Sequence, residues 1–109
     1  MEQYRELFQK LIPGLVEIFG SASMRIILYG SVARGTQTDE SDVDIAVILP
    51  PYTREQYKRM TAFVADLELE YDEVLSVHLI NEKKFAEWED VLPYYKNVKE
   101  EGITLWPAA

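Results

Sequence analysis

Tyr29-Gly30-Ser31-Val32-Ala33-Arg34-Gly35-Thr36-Gln37-Thr38-Asp39-Glu40-Ser41-Asp42-Val43-Asp44-Ile45-Ala46-Val47 joins two apolar segments through a polar loop. Upstream, Met24 to Tyr29 carries Ile26, Ile27 and Leu28 in a row and reads as a buried strand. Downstream, in the segment Asp42 to Leu49, Val43, Ile45, Val47 and Leu49 alternate with Asp42, Asp44, Ala46 and Ile48. That is the period of a second strand, which Pro50-Pro51 stops. Between the two, Val32 to Gly35 suits a short helical turn and Thr36 to Ser41 a loop.

Period two puts Asp42 and Asp44 on one face, with Val43 turned into the core. Two carboxylates held side by side repel each other unless a cation sits between them. Mg²⁺ favours oxygen ligands of this kind and keeps room for phosphate oxygens. A pair of such ions can activate an attacking oxygen and stabilise a leaving one. Gly30, directly after a buried strand, lets a phosphate approach the backbone closely. The turn that follows offers unpaired N–H groups, and the Ser31 hydroxyl adds a donor. Arg34, one turn on, can contact phosphate or pair with Asp42 or Asp44. Taken singly, a Gly-Ser after a strand is a turn and two aspartates at a strand start are solvated; the combination is what points to chemistry. The stretch is not an EF-hand, because Ile45 stands where that loop needs glycine and no glutamate follows at the right place. It is not a P-loop, because no Gly-Lys-Ser/Thr is present.

Outward from this stretch the elements continue. Leu7, Phe8, Leu11, Leu15, Ile18 and Phe19 recur at helical spacing, so a helix is expected from about Glu2 to Phe19, kinked or split at Pro13. Thr53 to about Leu69 reads as a helix capped by Thr53 with Gln56 three residues on, burying Tyr57, Met60, Phe63, Val64 and Leu67. Val74 to Ile80 is a third strand, and Asn81 caps a helix from Glu82 to about Glu87. A last helix covers Leu92 to Glu101 and ends at Gly102; Ile103 to Trp106 is an edge strand or a docked tail. Helix, strand, strand, helix, strand, helix is the order of a mixed sheet with helices packed on it, an α/β fold of the α+β type.

Composition narrows the function classes. The 109 residues fit one domain, 1–109, and 48% of them are hydrophobic, enough for a core. Any accessory domain is expected on another polypeptide. Without cysteine there is no disulfide, thiolate metal site or cysteine nucleophile, and His78 is the only histidine. No apolar run approaches the roughly 20 residues needed to span a bilayer, and the polar start resembles no signal peptide. A soluble cytoplasmic protein without membrane contact is expected. The net charge of -8 disfavours direct binding of long nucleic acid, while a metal-bound nucleotide or a basic partner remains compatible with it. Solubility alone also accounts for the charge. The oligomeric state is open, a homo-oligomer included. Of Trp88, Tyr94, Tyr95 and Trp106, at least two are expected in the core and the others on a partner surface.

Gly30-Ser31, ten residues, then Asp42-Val43-Asp44 resembles the signature of the polymerase-beta nucleotidyltransferase superfamily. The fuller run Gly30 to Gly35 with Ser41 to Ile45 is similar to its small branch, the minimal nucleotidyltransferases. The resemblance implies a mixed, mainly antiparallel sheet with helices on one side. It implies Mg²⁺-dependent transfer of a nucleoside monophosphate from a nucleoside triphosphate such as ATP. Gly30, Ser31 and Arg34 would hold the triphosphate, and Asp42 and Asp44 the metal. Many small members resemble antitoxins that neutralise a helical HEPN ribonuclease by attaching AMP to it. A HEPN-type partner, with a hydroxyl side chain as acceptor, is therefore implied.

The chain departs from that pattern on the third strand. Active members carry a further aspartate there, in a run like Val-Asp-Leu-Val. Here Val77-His78-Leu79-Ile80 stands in its place, with Phe85 fixing the register. His78 can serve as a metal ligand, as a general base, or as a half-buried structural residue. Glu70, Asp72 and Glu73 just upstream are candidates for the missing carboxylate if the strand begins early; otherwise they form a solvated loop. The departure favours a second reading, an antitoxin that binds nucleotide or partner without turnover.

Overall fold

The computed structural model describes residues 2–107. A short 3-10 turn, Glu2–Tyr4, leads into α1 (Arg5–Phe19). Then come β1 (Arg25–Tyr29), α2 (Gly30–Arg34), β2 (Val43–Leu49), α3 (Arg54–Tyr71), β3 (Leu75–Asn81), α4 (Glu82–Trp88), α5 (Pro93–Glu101) and β4 (Ile103–Trp106). The four strands form one sheet in the order β3-β2-β1-β4. β1 runs antiparallel to β2 and to β4, and β2 runs parallel to β3. This is the mixed sheet that the order of elements predicted, mainly antiparallel as the resemblance implied, and the Ile103–Trp106 segment is its edge strand.

The alternation in β2 divides the core. Val43, Ile45, Val47 and Leu49 face one way, with Ile26 and Leu28 of β1, and meet the buried stripes of α1 (Leu7, Phe8, Leu11, Leu15, Ile18) and α3 (Met60, Val64, Leu67). Removing any of the larger side chains here costs about 2–5 kcal/mol. The expectation of helices on one side holds for these two long helices. The short α4 and α5 pack on the opposite face, where Phe85 and Val98 cover Ile27, Ala46, Ile48 and Ile80. The residues of β2 between the aspartates and Pro50 are therefore apolar on both faces, as a central strand requires.

Local sequence explains the element ends. Thr53 and Gln56 form the expected capping box: Gln56 N–H donates to Thr53 Oγ1 at 3.0 Å and Thr53 N–H to Gln56 Oε1 at 2.9 Å. Asn81 Oδ1 likewise accepts from the N–H groups of Lys83 and Lys84 and opens α4. Pro13 does not split α1, which runs unbroken from Arg5 to Phe19. Pro13 lies on the exposed side, where water can satisfy the carbonyl freed by its missing N–H, while the apolar stripe holds the helix to the sheet. Next to it, Gly14 is half-buried beneath Phe63 of α3; a Cβ there would overlap the ring, so this glycine sets how closely the two helices approach. Tyr57, expected on the buried face of α3, is 48% exposed and stacks on Tyr52 instead. Among the four C-terminal aromatics, Tyr95 and Trp106 pack against the core, while Trp88 and Tyr94 stay exposed.

Candidate functional site

The last residue of β1 and the first of α2 meet the start of β2. Tyr29 is paired with Asp44 across the antiparallel β1–β2 ladder. The chain turns directly after Tyr29 with Gly30 at φ +77°. A Cβ built on Gly30 would overlap the Asp44 carboxylate, so the glycine is required twice, by its left-handed backbone and by the closeness of Asp44. Ser31 is the second residue of α2, and its carbonyl accepts the Thr36 N–H at 3.0 Å. Gly35, also left-handed, ends α2 and returns the chain toward β2.

Asp42 precedes β2 by one residue and is exposed; Asp44 is the second residue of the strand and half-buried. The Asp44 carboxyl is held above the usual carboxylate range, first by burial and then by the negative charge of Asp42. His78 and Arg34 act in the opposite direction, so both lie within electrostatic reach of Asp44. The structure thus brings together Gly30, Asp42, Asp44, Arg34 and His78, residues that lie up to 48 positions apart in the chain (78 minus 30).

Arg34 does not pair with either aspartate. Its Nη1 donates to Glu101 Oε2, at the end of α5, at 3.0 Å. His78 is exposed on β3 and lies opposite Ala46, one pleat beyond Asp44. Its ring packs against Tyr29 (centroids 6.5 Å apart) and Tyr94 (6.0 Å). The two tyrosine hydroxyls share a hydrogen bond of 2.9 Å. Burial and the Asp44 charge both push these phenols up, Tyr29 far above the usual tyrosine range. Both therefore remain protonated around neutrality.

β3 begins at Leu75, so the upstream acids do not supply a third carboxylate. Glu70 is ion-paired with Lys10 of α1. Asp72 ends α3 in a left-handed conformation, and the Glu73 N–H donates to the Glu68 carbonyl. Among the described residues no group of three or more His, Asp or Glu side chains is arranged to hold a metal. Two adjacent carboxylates nevertheless fit Mg²⁺, which is commonly bound through one or two carboxylates plus substrate phosphates and retained waters. The repulsion that Asp42 exerts on Asp44 is what such a cation would relieve.

Sequence reading missed three contributors. Tyr29 and Ser76 flank Asp44 in the registers of the adjacent strands, and Ser76 Oγ donates to Asp42 Oδ2 at 3.1 Å. Glu101 was invisible as the partner of Arg34, because 67 residues separate them. The alternation Ser76, His78 along β3 was the one signal available for Ser76. A cleft of about 450 Å³ lies elsewhere, lined by Gln37, Thr38, Asp39, Asp72 and Glu73, and includes none of the site side chains.

The family model described as nucleotidyltransferase domain matches residues 2–105 of this chain. A candidate protein adenylyltransferase of Methanocaldococcus jannaschii is 32% identical over 85 residues, covering 75% of this chain and 77% of that protein.

Proposed function

The chain belongs to the nucleotidyltransferase domain family, and on that premise we propose that it moves a nucleoside monophosphate, AMP from ATP, onto a hydroxyl of a partner protein. The observation that supports this reading is the contact of Gly30 with the Asp44 carboxylate, which brings the Gly30-Ser31 turn directly beside the carboxylate pair. The similar archaeal protein supports a protein acceptor, being described as a candidate protein adenylyltransferase. A HEPN-type toxin as that partner, with this chain as its antitoxin, extends the same proposal.

In this reading the first-turn N–H groups of α2, which have no helical acceptor, and the Ser31 hydroxyl donate to triphosphate oxygens. Arg34 adds a guanidinium once the phosphate competes with Glu101 for it. Asp42 and Asp44 would hold Mg²⁺, which would offset phosphate charge and lower the cost of forming the attacking oxyanion. The acceptor hydroxyl oxygen forms a bond to the α-phosphorus, and the bond to pyrophosphate breaks. His78 Nδ1 or Nε2, exposed on the same face, takes the hydroxyl proton. Tyr29, Tyr94 and His78 form an aromatic cluster beside Asp44, on the face the acceptor would approach.

A second reading, a module that neutralises its partner by contact, is favoured by one observation: β3 brings Ser76 and His78 to this face and no carboxylate. Intact-mass spectrometry separates the two. The protein is incubated with its genomic-neighbour partner, Mg²⁺ and each nucleoside triphosphate, beside an Asp42→Ala/Asp44→Ala variant. Partner mass rising by nucleotide units, and only with the wild type, is the expected result. An unmodified partner that still binds the variant would leave the contact module standing.

A further inference from the structure

We propose that Ser76 is the positioning residue through which β3 serves the carboxylate pair, holding Asp42 in place for the cation. This rests on the reading of Asp42 and Asp44 as metal-binding. In the parallel β2–β3 register Ser76 lies opposite Asp44, on the same face of the sheet as Ala46 and His78. An ionised carboxylate only accepts hydrogen bonds, so the 3.1 Å contact between Ser76 Oγ and Asp42 Oδ2 has the hydroxyl as donor.

Asp42 needs such a partner more than Asp44 does. Asp44 sits inside β2, its backbone fixed by strands on both sides and its carboxylate packed on Gly30. Asp42 lies outside the strand, on an exposed loop residue. Without Ser76, repulsion from Asp44 would favour rotamers that carry the Asp42 carboxylate into solvent. The hydroxyl fixes one oxygen and leaves the other free to bind. His78 does not fill this role, because it stands one pleat further on and its ring is engaged by Tyr29 and Tyr94.

The test compares Ser76→Thr with Ser76→Val, two side chains of equal shape that differ in the hydroxyl and suit a strand equally. Mn²⁺ binding is measured directly by calorimetry on the full chain with a non-hydrolysable ATP analogue present, and unfolding temperatures are recorded in the absence of metal. Loss of a group that orients a metal ligand lowers metal affinity by about 10-fold or more. We expect Ser76→Thr to bind Mn²⁺ within twofold of the wild type and Ser76→Val about 10-fold more weakly, with similar metal-free unfolding temperatures. Equal Mn²⁺ affinity of the Val and Thr variants overturns the role of Ser76 while leaving the carboxylate pair intact. Failure of the wild type itself to bind Mn²⁺ removes the metal reading and this inference together.

Discussion

The Cα of Gly30 is seated against the carboxylate of Asp44, with no space between them for a methyl group. The same glycine holds φ +77°, a conformation that costs other residues about 1–2 kcal/mol. Gly30→Ala therefore combines backbone strain with displacement of Asp44. We expect a loss of about 1–3 kcal/mol, which for a chain of this size lowers the unfolding temperature by roughly 4–8 °C per kcal/mol. Calorimetry measures the stability, and titration with an ATP analogue measures the site. Unchanged unfolding temperature and nucleotide affinity would show that Asp44 can move aside freely.

The carboxylate pair is expected to cost stability until a cation arrives. The Asp44 carboxyl is raised above its ordinary value by burial and by Asp42. The folded state therefore binds its proton more tightly than the unfolded state does. Stability from this group is complete below the unfolded pKa and is lost as pH rises through the folded one. Asp44→Asn removes the penalty, so it should raise the unfolding temperature at pH 7 in the absence of metal, with the gain shrinking as pH falls toward 4. Mg²⁺ with nucleotide should stabilise the wild type and not the variant. Activity should fall by on the order of 10³-fold. An Asp44→Asn protein less stable than the wild type at pH 7 would contradict this account.

Most of the fold was legible because each element is locally over-determined. The capping pair Thr53/Gln56, the alternation in Val43–Leu49 and the stripe on Arg5–Phe19 each name their element without tertiary information. The site was legible only along the chain. Gly30, Asp42 and Asp44 are joined by one short loop, so spacing sufficed. Ser76 and Glu101 reach the site through strand register and helix docking, which no window of sequence contains. The helices α4 and α5 were expected from their caps, but not the face on which they pack: they contribute only Phe85 and Val98 to full burial, too few to show a period. Tyr57 was misplaced because its helical phase borders the buried stripe and its hydroxyl end can remain wet.

The Tyr29–Tyr94 hydroxyl pair predicts a coupling between α5 and the end of β1. Removing one hydroxyl deprives the other of its hydrogen-bond partner, at a cost of about 1 kcal/mol. Removing both leaves two rings in edge contact with centroids 5.7 Å apart and no orphaned group. Tyr29→Phe/Tyr94→Phe should therefore cost less than the two single changes added together, by about 0.5–1 kcal/mol. Urea unfolding of the four proteins gives the cycle directly, and strict additivity would mean that water replaces each hydroxyl without loss.

In the proposed reading Arg34 reaches phosphate only in competition with Glu101. The ion pair is 3.0 Å long, but both side chains are more than a third exposed, so its worth to stability is about 0–1 kcal/mol. Glu101→Gln should leave the unfolding temperature within a few degrees of the wild type. It should also release the guanidinium and remove one negative charge from the rim of an already acidic molecule. We expect triphosphate affinity to rise about 3- to 10-fold, a gain of roughly 0.6–1.4 kcal/mol that shrinks with added salt. Arg34→Gln should weaken the same affinity, and Arg34→Gln/Glu101→Gln should show no benefit from losing Glu101. Fluorescence titration with a labelled ATP analogue at low and high ionic strength measures all four proteins. If Glu101→Gln strengthens binding equally in the Arg34→Gln background, the effect is long-range charge and Arg34 is not a phosphate ligand.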